Sequence, residues 1–215
     1  MIAAISHLTR LARAGFVLAR EGVLALAETS PLPLPAQTAL KLARVIERPS
    51  SDSAEHRLAT ALTQLGPAYV KLGQFLATRP DVVGAALARD LESLQDKMAP
   101  FPQAEAEAVV VAALGKPISE AFASFGPAVA AASIAQVHRA EVVTPEGHKA
   151  VAVKVLRPGV ERRFRVDLDA FTFAATRAER MSAEARRLRL IETVNTLRRS
   201  VGIEMDLRLE AAALS

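Results

Sequence analysis

Lys154 closes the run Val151-Ala152-Val153-Lys154, and a lysine among small β-forming residues has a fixed direction. Its apolar neighbours bury the strand and send the ammonium to one face. There it can neutralise the α- and β-phosphates of a nucleotide if a carboxylate steadies it. Candidate carboxylates stand at Glu204, Asp206 and Glu210. If one helix carries all three, at roughly 100° per residue, Asp206 and Glu210 share nearly one face and Glu204 lies roughly 120° from Glu210. That leaves one acid for Lys154 and the others for Lys71 or a metal ion. The spacing equally fits a solvated face paired with Arg198, Arg199 and Arg208.

Two further constellations bear on the same chemistry. Lys71-Leu72-Gly73-Gln74 puts Lys71 and Gln74 three apart, on one face of a helix. Gly73 between them costs about 1 kcal/mol relative to alanine, which makes sense if something packs closely at that point. Ala130-Ala131-Ala132-Ser133 sits just before the strand-like run that starts at Gln136, where a phosphate-holding loop would lie. Alanine in such a loop adds a methyl and restricts φ where glycine would not, so a stiffer loop is expected. Each piece also has an ordinary explanation: a solvated strand lysine, an exposed polar pair, an alanine-rich connector.

The elements that must position these residues are set by periodicity. Residues 5–28 repeat apolar side chains at helical spacing with Arg10, Arg13 and Arg20 among the polar positions, an amphipathic helix that either packs on the protein or lies on a membrane or partner. Pro31, Pro33 and Pro35 break it. Helical patterns resume from Ala54 through Gln64, from Tyr69 to Arg79 after Gly66-Pro67, and over 82–94. A short helix over 105–114 is closed by Gly115, with Lys116-Pro117 as its exit. The period then changes to that of a β-hairpin, Gln136–Val143 and Lys149–Leu156, around a five-residue turn at 144–148. Helices come next, over 160–180 and 183–213, with Gly202 as a kink or boundary. A lone His138 on a strand reads as structural.

Composition narrows the classes. With 51% apolar residues in 215, the chain folds around a core. A net charge of +4, no Trp and one Tyr leave little for backbone neutralisation or base stacking, so nucleic acid is not an expected partner. Zero Cys excludes disulfides, thiolate metal sites and cysteine nucleophiles. The apolar stretch 14–27 is interrupted by Arg20 and Glu21, short of the ~18–20 residues a spanning helix needs. No secretory cleavage pattern stands out.

Val-Ala-Val-Lys is a form of the lysine motif that protein kinases carry on their third strand. Taken in order, KLGQ at 71–74, AAASIAQVH at 130–138, VAVK at 151–154 and EMD at 204–206 resemble the UbiB/AarF family of protein-kinase-like proteins. The resemblance implies an α+β fold, mostly helical: a kinase-like N-lobe with a small antiparallel sheet and an αC-type helix, preceded by a helical KxGQ extension. The expected organisation is an amphipathic helical region over 1–55, the extension over 56–120 and the partial lobe over 121–215. It further implies an atypical kinase or ATPase supporting ubiquinone biosynthesis, with ATP or ADP and Mg as cofactors. By the same resemblance Lys154 contacts the phosphates and pairs with Glu210, with Glu204 as the competing partner. Ala130, Ala131, Ala132 and Ser133 form the loop above, and Lys71 and Gln74 meet Glu204 and Asp206 as a regulatory set.

A membrane surface, ubiquinone-biosynthesis enzymes or lipid intermediates are the further implied partners, with a cytoplasmic location peripheral to the inner membrane. No residues after Ser215 supply the catalytic-loop and DFG segments of a large lobe, so this chain is expected to be an N-terminal fragment, inactive alone. The competing expectation is a non-catalytic module that docks membranes or enzymes.

Overall fold

The computed structural model describes residues 2–23, 45–49, 54–92, 94 and 98–213; the proline run expected to break the first helix lies outside them. In chain order the elements are α1 (Ile2–Arg20), α2 (Ala54–Leu65), α3 (Pro67–Ala77), α4 (Pro80–Val83), α5 (Ala85–Glu92), α6 (Gln103–Leu114) and α7 (Ile118–Ala121). Then come β1 (Ser124–Ala131), β2 (Ala135–Thr144) and β3 (Gly147–Leu156), and after them α8 (Val160–Met181), α9 (Ala183–Arg187), α10 (Leu190–Met205) and α11 (Leu207–Ala213). The fold is α+β and mostly helical, with a three-stranded antiparallel sheet in the order β1-β2-β3. It gathers into two compact units, residues 1–95 with 164–201, and residues 96–163 with 202–215.

The first unit is helical. Gly66, at φ 111°, ends the turn after α2 and hands Pro67 to the first position of α3, where its missing N–H costs nothing. Leu58, Ala61, Leu62 and Leu65 of α2, Ala68, Tyr69 and Val70 of α3, and Ala88 and Leu91 of α5 are buried. Gly73 is the point of closest approach. A Cβ there would stand 2.5 Å from Leu94 Cδ1 and 2.8 Å from Leu62 Cδ1, so the helix-propensity cost at Gly73 is the condition for this contact.

Phe164, Leu168, Phe171 and Ala175 form a buried stripe on α8 at i, i+4, i+7 and i+11, and Phe171 meets the Tyr69 ring edge-on at 4.9 Å. Burial, with the Asp167 carboxylate adding, pushes the Tyr69 phenol up to about 12. Helix α1 joins this unit: Arg10 bonds Asp167 at 2.9 Å, His7 stacks on Phe173, and Ala14 and Ala19 are buried.

The second unit is built on the sheet. Ala106 and Val110 of α6 and Val155 of β3 are buried together, with Phe101, Val109, Ile118, Phe122, Phe125 and Val153 packed around them.

Several boundaries differ from the periodicity. Thr144 pairs with Gly147 across β2 and β3, so the hairpin turn is Pro145-Glu146 rather than five residues; Gly147 at φ 117° permits the tight closure. The Ala-rich segment is not a connector ahead of a two-stranded hairpin. It ends a third strand, β1, whose Gly126-Pro127 disguised it; irregular pairing around Ala128 absorbs them at a sheet edge. The stretch 183–213 is three helices. Its last break falls at Asp206, not Gly202: Asp206 Oδ1 accepts the Arg208 N–H at 3.2 Å and starts α11.

Candidate functional site

Strand alternation sets the direction of Lys154. On β3, Val153 and Val155 pack toward α6, so Lys154, between them, points to the opposite face. Its cross-strand neighbour is Val137. On that face Lys154 Nζ meets Glu210 Oε2 at 2.5 Å, with side-chain exposures of 34% and 49%. A pair this open contributes below about 1 kcal/mol to stability; its effect is to hold the ammonium in one place.

The break at Asp206 is what gives Glu210 this position. Glu204 lies in the last turn of α10 and is exposed, Asp206 sits at the junction, and Glu210 rides on α11, so the three acids do not share one helix and the single-helix angles do not apply to them. Asp206 is bound by the Arg208 guanidinium at 2.8 Å through each oxygen, which holds its carboxyl below the usual range. Leu156, Glu161, Gly202, Met205, Asp206, Leu207 and Arg208 line an open cleft of about 440 Å³ in the same unit.

Ala130 and Ala131 are the last residues of β1, and Ala132 and Ser133 lie in the turn to β2, closed by the Ala132 N–H donating to Ala135 O at 2.8 Å. Among the described residues only Arg189 is a non-glycine at positive φ, so this turn uses no left-handed residue and alanine fits it without strain. The Ser133 side chain is fully buried; what the turn offers outward is backbone and the alanine methyls. Lys71 and Gln74 lie half-buried on α3 in the first unit, either side of the tightly packed Gly73, while Glu204 and Asp206 belong to the second.

Periodicity alone misses two residues beside the turn, one that holds Phe101 and one that braces the turn itself. Gln136 is 1% exposed on the α6 side of β2. Its Oε1 accepts the Phe101 N–H at 2.9 Å, and its Nε2 donates to Phe101 O at 3.3 Å and to His138 Nε2 at 2.9 Å. His138 is fully buried, and its Nδ1 lies 2.9 Å from Gly126 O. A carbonyl only accepts, so Nδ1 carries the proton and Nε2 receives from Gln136. His138 is thus structural, as its isolation on a strand suggested. The second residue is Arg157, whose guanidinium bonds Ala132 O and Ala99 O. The available signal was two polar residues at i and i+2, Gln136 and His138, sharing the apolar face of a strand.

Among the described residues no group of three or more His, Asp or Glu is placed to hold a metal ion. No helix among them is long and apolar enough to cross a membrane.

Residues 93–215 match the ABC1 atypical kinase-like domain. The chain is 39% identical over 214 residues to a probable protein kinase UbiB of Marinobacter nauticus, covering 98% of this chain and 38% of that protein. It is 40% identical over 215 residues to a probable protein kinase UbiB of Xanthomonas euvesicatoria, covering 96% and 38%. Against a probable protein kinase UbiB of Azotobacter vinelandii it is 42% identical over 160 residues, covering 74% and 29%. The chain therefore spans less than two-fifths of the length of these relatives. No solved structure matches it. With the domain match covering more than half of its residues, the chain belongs to the ABC1 atypical kinase-like family, in its UbiB/AarF-type group.

Proposed function

We propose that this chain forms the phosphate-facing small lobe of an atypical kinase or ATPase that supports ubiquinone biosynthesis. The observation that carries it is the Lys154 ammonium, aimed off the sheet by strand alternation and held at 2.5 Å by Glu210, on the strand next to the β1–β2 turn. A phosphate group fits this arrangement: a fixed cation on one side and the backbone of a tight turn on the other. Lys154 and Glu210 are assigned the catalytic lysine and its steadying acid, and Ala130, Ala131, Ala132 and Ser133 the loop above the phosphates. ATP or ADP enters with its own Mg, for which no ligand is assigned among these residues. Lys71, Gln74, Glu204 and Asp206 are assigned a regulatory role, and a nucleotide and lipid intermediates of quinone assembly are the proposed partners.

Calorimetry with Mg-ATP and Mg-ADP on the full chain tests this. Binding that Lys154→Ala weakens most and Glu210→Gln weakens less, while Glu204→Gln leaves it unchanged, is the expected outcome. Binding indifferent to Lys154, or none in the parent protein, contradicts it.

A second proposal, peripheral docking on a membrane or partner, is favoured by one observation. Although α1 packs by one side, Ile5, Leu8 and Phe16 on it are 57%, 55% and 48% exposed, an apolar ridge of the kind that lies at interfaces. Flotation with anionic vesicles, comparing the full chain with Phe16→Glu, decides it: equal flotation removes the docking role from α1.

A further inference from the structure

Arg157 stands at the exit of β3, and four bonds leave it for two other segments. Its backbone N–H donates to Ile134 O at 2.9 Å. Its Nε and Nη2 each donate to Ala132 O at 3.0 Å, and Nη2 also donates to Ala99 O at 2.7 Å. The guanidinium lies 5.5 Å from the centre of the Phe101 ring, and Phe101 is itself held through both backbone groups by Gln136. The turn carbonyls at 132 and 134 are therefore tied from one residue, and the same residue ties the turn to the segment 99–101.

The next two residues fix Arg157 in turn. Pro158 and Gly159 occupy the two central positions of a tight turn, Gly159 at φ 68°, closed by the Val160 N–H donating to Arg157 O at 3.1 Å. The backbone N–H of Arg157 thus faces the alanine turn while its carbonyl starts α8. A lysine at this position has the charge and the apolar stem but not the planar fork that reaches two carbonyls at once.

We propose that Arg157 is a positioning residue for the nucleotide site: its fork sets the height of the Ala132–Ser133 turn and so the fit of the turn backbone to the phosphates. This rests on the phosphate-facing function proposed above. Glycine-rich turns over phosphates adapt to them; here the turn is held from below by Arg157, and the fit is built before ligand arrives. Arg157 touches no phosphate and acts through the turn alone.

Three readouts on the full chain test it with Arg157→Ala and Arg157→Lys: amide hydrogen exchange across 130–136 without ligand, affinity for Mg-ATP, and affinity for adenosine, which has no phosphates. A guanidinium bond to a carbonyl is worth on the order of tenfold in an equilibrium. Arg157→Ala is expected to speed exchange of the Ala132 amide and to weaken Mg-ATP, each about tenfold, while adenosine stays within about twofold. Arg157→Lys falls between, about threefold, and decides the matter by itself if Arg157→Ala does not fold. Parallel loss of Mg-ATP and adenosine marks a merely structural role and overturns the proposal, as do wild-type exchange and wild-type Mg-ATP affinity in Arg157→Lys. If the parent protein binds no Mg-ATP, the proposed function fails and this inference with it. If the parent binds, Lys154→Ala weakens that binding, and the Arg157 variants bind as the parent does, this inference alone fails.

Discussion

The two compact units fix their signature motifs by different physics. In the first, Gly73 of the KLGQ segment is held by volume: Leu62, Leu91 and Leu94 close on a position with no side chain. In the second, the alanine turn is held by polarity: Gln136 and Arg157 bind backbone groups of Phe101, Ala99 and Ala132. A packed contact tolerates loss of a donor but not an added methyl group; a hydrogen-bonded one has the opposite sensitivity. The helical unit should therefore report on size, and the sheet unit on donors and acceptors.

The largest effect is expected where a donor set is removed from the sheet. Gln136→Leu keeps approximate volume but strands the Phe101 N–H and carbonyl and the His138 Nε2 acceptor, a loss of about 3 kcal/mol in urea unfolding, with faster amide exchange concentrated in β1 and β2. A loss below about 1 kcal/mol would show that water replaces these bonds readily. Gly73→Val comes next: overpacking against Leu62 and Leu94 costs about 2 kcal/mol, with faster exchange confined to α2, α3 and α5. Exchange that also rises in the strands would erase the distinction between the two units.

Tyr69 gives a smaller and more specific test of the helical core. Burial raises its phenol from 10 to about 12, so the neutral form favours the folded state. That contribution is fully present below pH 10 and is lost as pH rises through about 12. Because the chain has one Tyr, phenolate absorbance reports this group alone. The folded chain should titrate near 12 and the urea-unfolded chain near 10; a folded midpoint at 10 would mean the ring edge against Phe171 is wet.

The same contrast explains what was legible in the sequence. Helices whose apolar positions recur at i, i+3 and i+4 were readable, and so was the tight approach at Gly73, since an unexplained glycine in a helix asks for a close neighbour. β2 and β3 were readable from their β-branched runs, with ends shifted by one or two residues. β1 was not: Gly126, Pro127 and three alanines carry no strand signal, and only pairing with β2 makes them a strand. The break at Asp206 was hidden because Glu204 to Glu210 is locally helical on both sides, and the cap depends on which backbone N–H the Asp206 carboxylate finds. Lys154 was legible as a directed cation. That Arg157 straps the turn was not, because its partners are carbonyls 25 and 58 residues away, and backbone acceptors leave no mark on residue type.

Most direct is a double-mutant cycle between Lys154 and Glu210 read by Mg-ATP affinity in the full chain. If Glu210 acts by holding Lys154, Glu210→Gln weakens binding in the parent and does nothing further once Lys154→Ala is present, a coupling of about 1 kcal/mol or more. Additive losses would show that Glu210 serves the nucleotide independently of Lys154, and would contradict the assignment of the pair.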